Sequence, residues 1–432
     1  MPLDPVALCD GIDRTAATLG KRRLAIAFSG GLDSTVLLAL VSSGSDLPLR
    51  ALHVDHGLQG NQPEWRAQVV ANCDERDVSL RVLDARVTIE PGDSVEAAAR
   101  DARYAALSAA VDDDELLLLA QHRDDQAETV LLQLLRGAGP AGLAAMPAVA
   151  ELGASHVMRP LLGVARETLR DYAQAHALRW FDDPSNANDR FDRNYLRREV
   201  MPLLRERWPG LATTLARAAD WQAEADQLAS ALAASDARRF APQPARVDLS
   251  RWSALPPERQ RNLLRFLCRA RSLSTPPARR LTSLQALATG DTPRGAVRWP
   301  GGEARRYRNW LHLSPPLPPP PEATWCGVPD GTGAVTLPEP YGRLNYNRDA
   351  LDAGAIQCRF RQGGERVRRD PDGHSAPFAA WCQREGVAPW LRLRLPLTFV
   401  GDALAVIGTR AVSPDYEAWV PHWTGAPQGL ET

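Results

Sequence analysis

The sequence predicts an α/β fold with a doubly wound parallel sheet, followed by an α-helical middle domain and a small α+β C-terminal domain. Three observations predict it. Apolar strand-like runs alternate with helical stretches through the first half of the chain. From Leu211 the pattern turns Ala-rich and helical, and Leu211–Phe240 holds no internal strand. A proline run from Pro315 to Pro321 then separates a last region of short strand-like segments around one helix, Ser375–Glu385.

The first strand, Leu24–Phe28, runs into Ser29-Gly30-Gly31-Leu32-Asp33-Ser34 and then the apolar helix opening at Thr35. Two glycines let the backbone turn sharply and leave amide groups converging on one spot. The helix start adds unpaired N–H groups and a positive dipole end, so the spot suits phosphate. Ser29 and Ser34 add hydroxyls, and Asp33 adds a hard oxygen that suits Mg²⁺. The Gly-Lys-Ser/Thr of a Walker A loop is missing. The loop instead resembles the pyrophosphatase loop of enzymes that split ATP into AMP and pyrophosphate.

The second strand, Leu49–Asp55, leads into His53-Val54-Asp55-His56-Gly57-Leu58, a position that approaches adenine or ribose in a nucleotide site. A helix over Pro63–Asp77, a strand over Leu80–Leu83 and an Ala-rich helix over Val95–Val111 follow. That helix aligns Arg100, Arg103 and Tyr104 on one face, suited to phosphate or nucleotide or simply solvated. The fully apolar strand Leu116–Ala120 ends at Gln121-His122-Arg123-Asp124-Asp125-Gln126-Ala127-Glu128-Thr129. Asp124, Asp125 and Glu128 share a helix face, where they can cap the terminus, hold Mg²⁺, or recruit and deprotonate an amine. His122 can stabilise charge on phosphates or on an activated carbonyl. Ligands of parallel sheets gather at strand carboxyl ends, so the segments after these three strands are expected to face one crevice. The loop Arg136–Leu143 has the glycine content of a segment that closes over substrate. Asp182-Asp183-Pro184-Ser185-Asn186 and the helix with Arg193, Arg197 and Arg198 are polar and arginine-dense, suited to an RNA backbone.

A length of 432 residues implies two or three domains, expected at 1–210, 211–313 and 324–432 with a Pro-rich linker at 314–323. No apolar run approaches a membrane span, and the six cysteines form no C-x-x-C pair. This favours reduced thiols in a cytoplasmic protein, without a zinc ribbon or iron–sulfur cluster. A net charge of −1 excludes a blanket polycation. Lys21 is the sole lysine and precedes the first strand, so an amine nucleophile has to come from a substrate.

The loop Ser29–Ser34, the runs His53–Leu58 and Glu96–Tyr104, the Asp124–Thr129 block, Arg136–Leu143 and Asp183–Asn194 are together similar, in this order, to the tRNA(Ile)-lysidine synthetase family. These are N-type ATP pyrophosphatases with an adenine nucleotide α-hydrolase-like fold. The resemblance implies adenylation of C2 of the wobble cytidine in an isoleucine tRNA with a CAU anticodon. L-Lysine then displaces AMP through its ε-amine. It implies ATP held by Ser29, Gly30, Gly31, Leu32, Asp33, Ser34, His53 and Asp55, with Mg²⁺ on Asp33. It places catalysis on Asp33, His122, Asp124, Asp125 and Glu128, and RNA contacts on Arg100, Arg103, Arg193 and Arg197. The middle and C-terminal regions become tRNA-contacting domains, with no membrane partner and a homodimer left open. Gln121 stands where the family usually has a first histidine, and Ala376–Arg384 lacks the lysines often found there. Other ATP pyrophosphatases, such as a tRNA thiolase, GMP synthetase or NAD synthetase, are the nearest rival enzymes. A non-catalytic tRNA-recognising nucleotide binder is the rival outside catalysis.

Overall fold

The computed structural model describes residues 3–55, 62–85, 95–181, 192–241, 246–290, 295–352, 355–368 and 375–430. It divides into two units, Met1–Leu228 and Ala229–Thr432. His56, Gly57, Leu58 and the Asp182–Asn186 segment lie outside the described residues.

The first unit opens with α1 (Pro5–Thr18), capped by Asp4, whose carboxylate accepts from the Ala7 amide at 3.1 Å. Then come β1 (Arg23–Ala27), α2 (Leu32–Gly44), β2 (Leu49–Asp55), α3 (Gln62–Asp74), β3 (Ser79–Asp84), α4 (Val95–Ala110) and β4 (Glu115–Leu118). They are followed by α5 (Arg123–Leu135), α6 (Pro140–Leu143), β5 (Val149–Leu152), β6 (Ser155–Met158) and α7 (Arg166–Ala175). A short α8 (Asp192–Tyr195) passes through one π-helical turn, Leu196–Val200, into α9 (Met201–Arg207). α10 (Leu211–Phe240) runs across the division between the units.

The strand order is β3-β2-β1-β4-β6-β5, parallel throughout except that β5 runs against β6. After their charged first residues, Arg23 and Glu115, β1 and β4 are unbroken apolar runs because helices cover both faces. Leu24 and Ile26 bury toward α2, among Val36, Leu37 and Leu40. Ala25, Leu52 and Leu117 bury on the other face with Leu107 of α4. The order reverses between β1 and β4, which opens a crevice at their carboxyl ends.

Element ends differ from the sequence expectation by one to three residues. The helix expected to reach Asp77 stops at Asp74, since Asp77 takes a left-handed φ of 52° and the Val78 amide turns back to Cys73 O.

In the second unit the expected helices are α11 (Pro257–Ala270) and α12 (Ala278–Thr289), preceded by β7 (Arg246–Asp248). They are accompanied by strands that sequence reading missed: β7 itself, β8 (Ala296–Trp299), β9 (Gly302–Tyr307) and β10 (Trp310–Ser314). These make a four-stranded antiparallel sheet, order β7-β10-β9-β8. Val247, Val297, Trp299, Ala304, Leu311 and Leu313 form its inner face and bury with Leu263, Leu264, Leu281 and Leu284 of the helices. These strands give little sequence signal because their outward positions carry arginine and tryptophan in place of the usual β-branched residues.

The proline run has no regular structure, yet it is strapped down. Pro318 O accepts from Arg394 Nε at 2.7 Å, Pro319 O accepts from the Tyr341 hydroxyl at 2.8 Å, and Leu317 packs on the C-terminal core. Beyond it, a five-stranded and a three-stranded antiparallel sheet enclose a core of Tyr341, Leu344, Phe360, Trp381 and Leu397, with short helices at Arg348–Asp352 and Phe378–Arg384 where the sequence predicts one. No helix among the described residues is long and apolar enough to cross a membrane.

Candidate active site

β1 passes to α2 through Ser29-Gly30-Gly31, and the turn is built for glycine on two counts. Gly30 holds φ +80°, and a Cβ there would lie 2.7 Å from Val69 Cγ2 and 2.9 Å from Trp65 Nε1. No side chain caps α2 at Gly31, so the first-turn amides remain available to an anion. The two serines close a hydrogen-bonded ring. Gly31 O can only accept, so the Ser34 hydroxyl donates to it at 3.1 Å, and Ser29 Oγ donates to Ser34 Oγ at 3.0 Å. Ser29 Oγ accepts in turn from the Gly31 amide at 3.3 Å.

Across the crevice, His122 is the N-cap of α5. Its Nδ1 accepts from the Asp125 amide at 3.3 Å, while the Asp125 carboxylate accepts from the His122 amide at 3.1 Å. That contact leaves the proton of the neutral ring on Nε2, which sits 3.6 Å from Asp33 Oδ2 and 3.4 Å from Asp125 Oδ2. Burial opposes a charge on His122, but Asp33, Asp125 and Asp124 outweigh it and raise the imidazole pKa. Burial would likewise lift the Asp125 carboxyl, yet His122, Arg193 and Arg197 hold it below the usual carboxylate value.

The three carboxylates of α5 have separate surroundings. Asp125 and Glu128 are gripped by two arginines one helical turn apart. Arg193 reaches Glu128 at 3.0 Å and Asp125 at 3.1 Å. Arg197 reaches both at 2.7 Å. Asp124 instead turns away, accepting from the Arg166 amide at 2.8 Å and pairing with Arg205. Arg193 and Arg197, read from sequence as RNA contacts, thus spend their guanidiniums on buried carboxylates.

A cavity of about 340 Å³ joins these parts. Ser29, Gly31, Asp33 and Ser34 line one side, and His53, Val54 and Trp65 continue along β2 and α3. Arg103, Tyr104, Gln121, Asp125, Arg193 and Arg197 also line it. Gly30, Leu32, Asp55, Arg100, Asp124 and Glu128 are not among its lining residues, and Leu32 is a core residue. His122 lies behind the wall, 1% exposed, touching the cavity through Asp33 and Asp125. His53 Nδ1 donates to Phe28 O at 2.9 Å, which leaves Nε2 as an acceptor, and burial keeps the ring pKa low. Cys9 and Cys73, the cysteines of this unit, are buried and line no part of the cavity.

The sequence also carries family signatures. The PP-loop domain family matches residues 8–204, the TilS substrate binding domain 248–312, and the TilS substrate C-terminal domain 356–424. The tRNA(Ile)-lysidine synthase of Methylococcus capsulatus is 39% identical over 428 residues, covering 92% of this chain and 95% of that one. That of Alkalilimnicola ehrlichii is 41% identical over 402 residues, covering 89% of each. That of Pseudomonas putida is 40% identical over 398 residues, covering 88% and 91%. The chain belongs to the tRNA(Ile)-lysidine synthase family.

Membership in the tRNA(Ile)-lysidine synthase family makes the cavity that of an ATP-using PP-loop domain. Several residues that shape it had no sequence signal. Trp65 and Phe181 flank the loop but lie far from it in sequence. Gln126, part of the acidic block, is structural: its amide exchanges two hydrogen bonds of 3.0 Å with the Met146 backbone. Arg159 holds Pro147 O at 2.8 Å and approaches the Tyr104 hydroxyl at 3.5 Å. The one available signal was compositional, an arginine-dense first unit without a second lysine.

Proposed function

We propose that this chain uses ATP and L-lysine to convert the wobble cytidine of an isoleucine tRNA with a CAU anticodon into lysidine. The observation that carries the reading is the single cavity that joins an anion-binding loop, Ser29–Ser34, to a carboxylate–arginine box at Asp125 and Glu128. The loop amides and hydroxyls suit the phosphates, and His53 Nε2 suits the adenosine end. In the first half-reaction the cytidine C2 oxygen attacks the α-phosphorus and pyrophosphate leaves. In the second the lysine ε-amine attacks C2 and AMP leaves.

Of the three α5 carboxylates, Asp125 alone lines the cavity, and its Oδ2 faces His122 while its Oδ1 takes the arginines. Asp125 is therefore the α5 carboxylate proposed to meet the lysine ammonium. Glu128 holds Arg193 and Arg197 in position, and Asp124 ties α5 to α7 and α9. Arg100 and Arg103 on α4 are exposed, which supports assigning them to RNA contacts.

Asp33 fits a hard cation. Its Oδ1 is buried without a hydrogen-bond partner, and Ser29 and Ser34 stand beside it on the cavity wall. Mg²⁺ takes most of its ligands from phosphates and water, so one protein carboxylate suffices for it. Mg²⁺ there would neutralise charge on the departing pyrophosphate.

The test is incubation of the full chain with ATP, Mg²⁺, labelled lysine and the CAU-anticodon tRNA. Label is expected in the tRNA, one lysine per AMP released. Absence of both label and pyrophosphate release sinks the reading.

A further inference from the structure

The phosphate loop is tied down through its carbonyl groups. The Trp65 indole N–H donates to Ser29 O at 2.6 Å, and the Phe181 amide donates to Gly30 O at 2.9 Å. The two rings stack on each other, centroids 5.3 Å apart and 11° from parallel. His53 meets Trp65 edge-on at 5.9 Å and 75°. Beneath them Val69, one turn after Trp65 on α3, fills the space where a side chain on Gly30 would go.

In a trans peptide the carbonyl and the next N–H point in opposite directions. Fixing Ser29 O therefore aims the Gly30 amide, and fixing Gly30 O aims the Gly31 amide. Both carbonyls are held by the same stacked pair, so both amides turn toward the opposite side. The Gly31 amide does point at Ser29 Oγ there, on the cavity wall. Two consecutive glycines are otherwise the freest backbone of the site, and ordering them on ATP arrival would cost affinity.

We infer that Trp65 and Phe181 act as a positioning pair that holds the Gly30 and Gly31 amides toward the phosphates of ATP before ATP binds. This rests on the ATP reading of the cavity. Neither residue reaches the reacting atoms; each acts through the loop carbonyls.

The experiment compares the full chain with Trp65→Phe, which keeps the ring stack and removes the donor. Trp65→His, which restores a ring N–H, and Phe181→Leu, which removes the stack, complete the set. Binding of α,β-methylene-ATP with Mg²⁺ is measured by calorimetry, together with KM for ATP, lysine and tRNA. Loss of one hydrogen bond predicts ATP binding weakened about five- to tenfold in Trp65→Phe, with partial recovery in Trp65→His. KM for lysine and for tRNA is expected to hold, with Tm unchanged to about 2 °C. Trp65→Phe binding ATP as well as wild type overturns the pair. So does a parallel rise of all three KM values with a fall in Tm, which marks a general structural role. If Trp65→Phe fails to fold, unchanged ATP affinity in Phe181→Leu overturns it equally. A wild-type chain that binds no nucleotide removes the ATP reading itself and is told apart on that ground.

Discussion

Arg197 closes on Glu128 with two hydrogen bonds, Nε to Oε1 at 2.7 Å and Nη2 to Oε2 at 2.9 Å. The Glu128 side chain is 2% exposed, so this fork supplies much of what keeps its charge tolerable away from water.

Removing one partner should therefore cost more than removing both charges. Arg197→Ala is expected to lower stability by about 2–3 kcal/mol, because a buried carboxylate loses its closest cation. Adding Glu128→Gln should recover part of that loss. Urea denaturation of the two single variants and the double variant measures the coupling; additive losses would mean the pair is not energetically joined.

Asp124 and Asp125 are neighbours in sequence with different tasks. Asp125→Asn is expected to reduce kcat at least a hundredfold, in the range typical of a lost electrostatic contact to the reacting groups. Asp124→Asn should leave KM for ATP near wild type and show itself as a lower Tm, since its partners are Arg205 and the Arg166 amide. Equal kinetic damage from both changes would contradict this separation.

Gly30 and Gly31 should not be interchangeable. Gly30→Ala forces an L-residue to φ +80° and a Cβ into Val69 and Trp65, so ATP binding should be lost along with about 1–2 kcal/mol of stability. Gly31 has φ −78°, and the nearest atom to an added Cβ is Ser29 Oγ at 3.5 Å. Gly31→Ala is therefore expected to fold normally, as its Tm would show.

His53 gives a pH dependence with a defined sign. Burial, aided by Arg66 and Arg103, lowers its pKa from 6.5 against the opposing pull of Phe28 O and Asp55. A lowered histidine pKa means the neutral form is the folded one. Its contribution is complete above pH 6.5 and declines as pH falls below that value, by up to about 1.4 kcal/mol per pH unit for one proton. His53→Asn keeps a donor for Phe28 O but cannot take a proton. Its urea midpoint should fall less than that of wild type between pH 7 and 5.5; identical slopes would place the titration elsewhere.

Local chemistry made much of this protein legible. The strand, Ser-Gly-Gly turn and apolar helix around Ser29–Ser34 were readable because each residue acts through backbone geometry close to its own position. The four parallel strands β1 to β4 were readable from strand–helix alternation, whereas the short β5 and β6 were not, and the acidic block at Asp124–Glu128 was readable from helix spacing. The sheet at residues 246–314 was not, because three- to six-residue strands carrying arginine and tryptophan give too little periodicity.

By itself the sequence determined the phosphate loop, the sheet that presents it and the acidic helix start beside it. Only the tertiary structure decided how those charges are used. It put Arg193 and Arg197 on Asp125 and Glu128, sent Asp124 to Arg205, and brought Trp65 and Phe181 behind the loop glycines. The physical reason is range. Turns and helix faces arise between residues a few positions apart, whereas ion pairs and ring stacks join residues that only folding brings together.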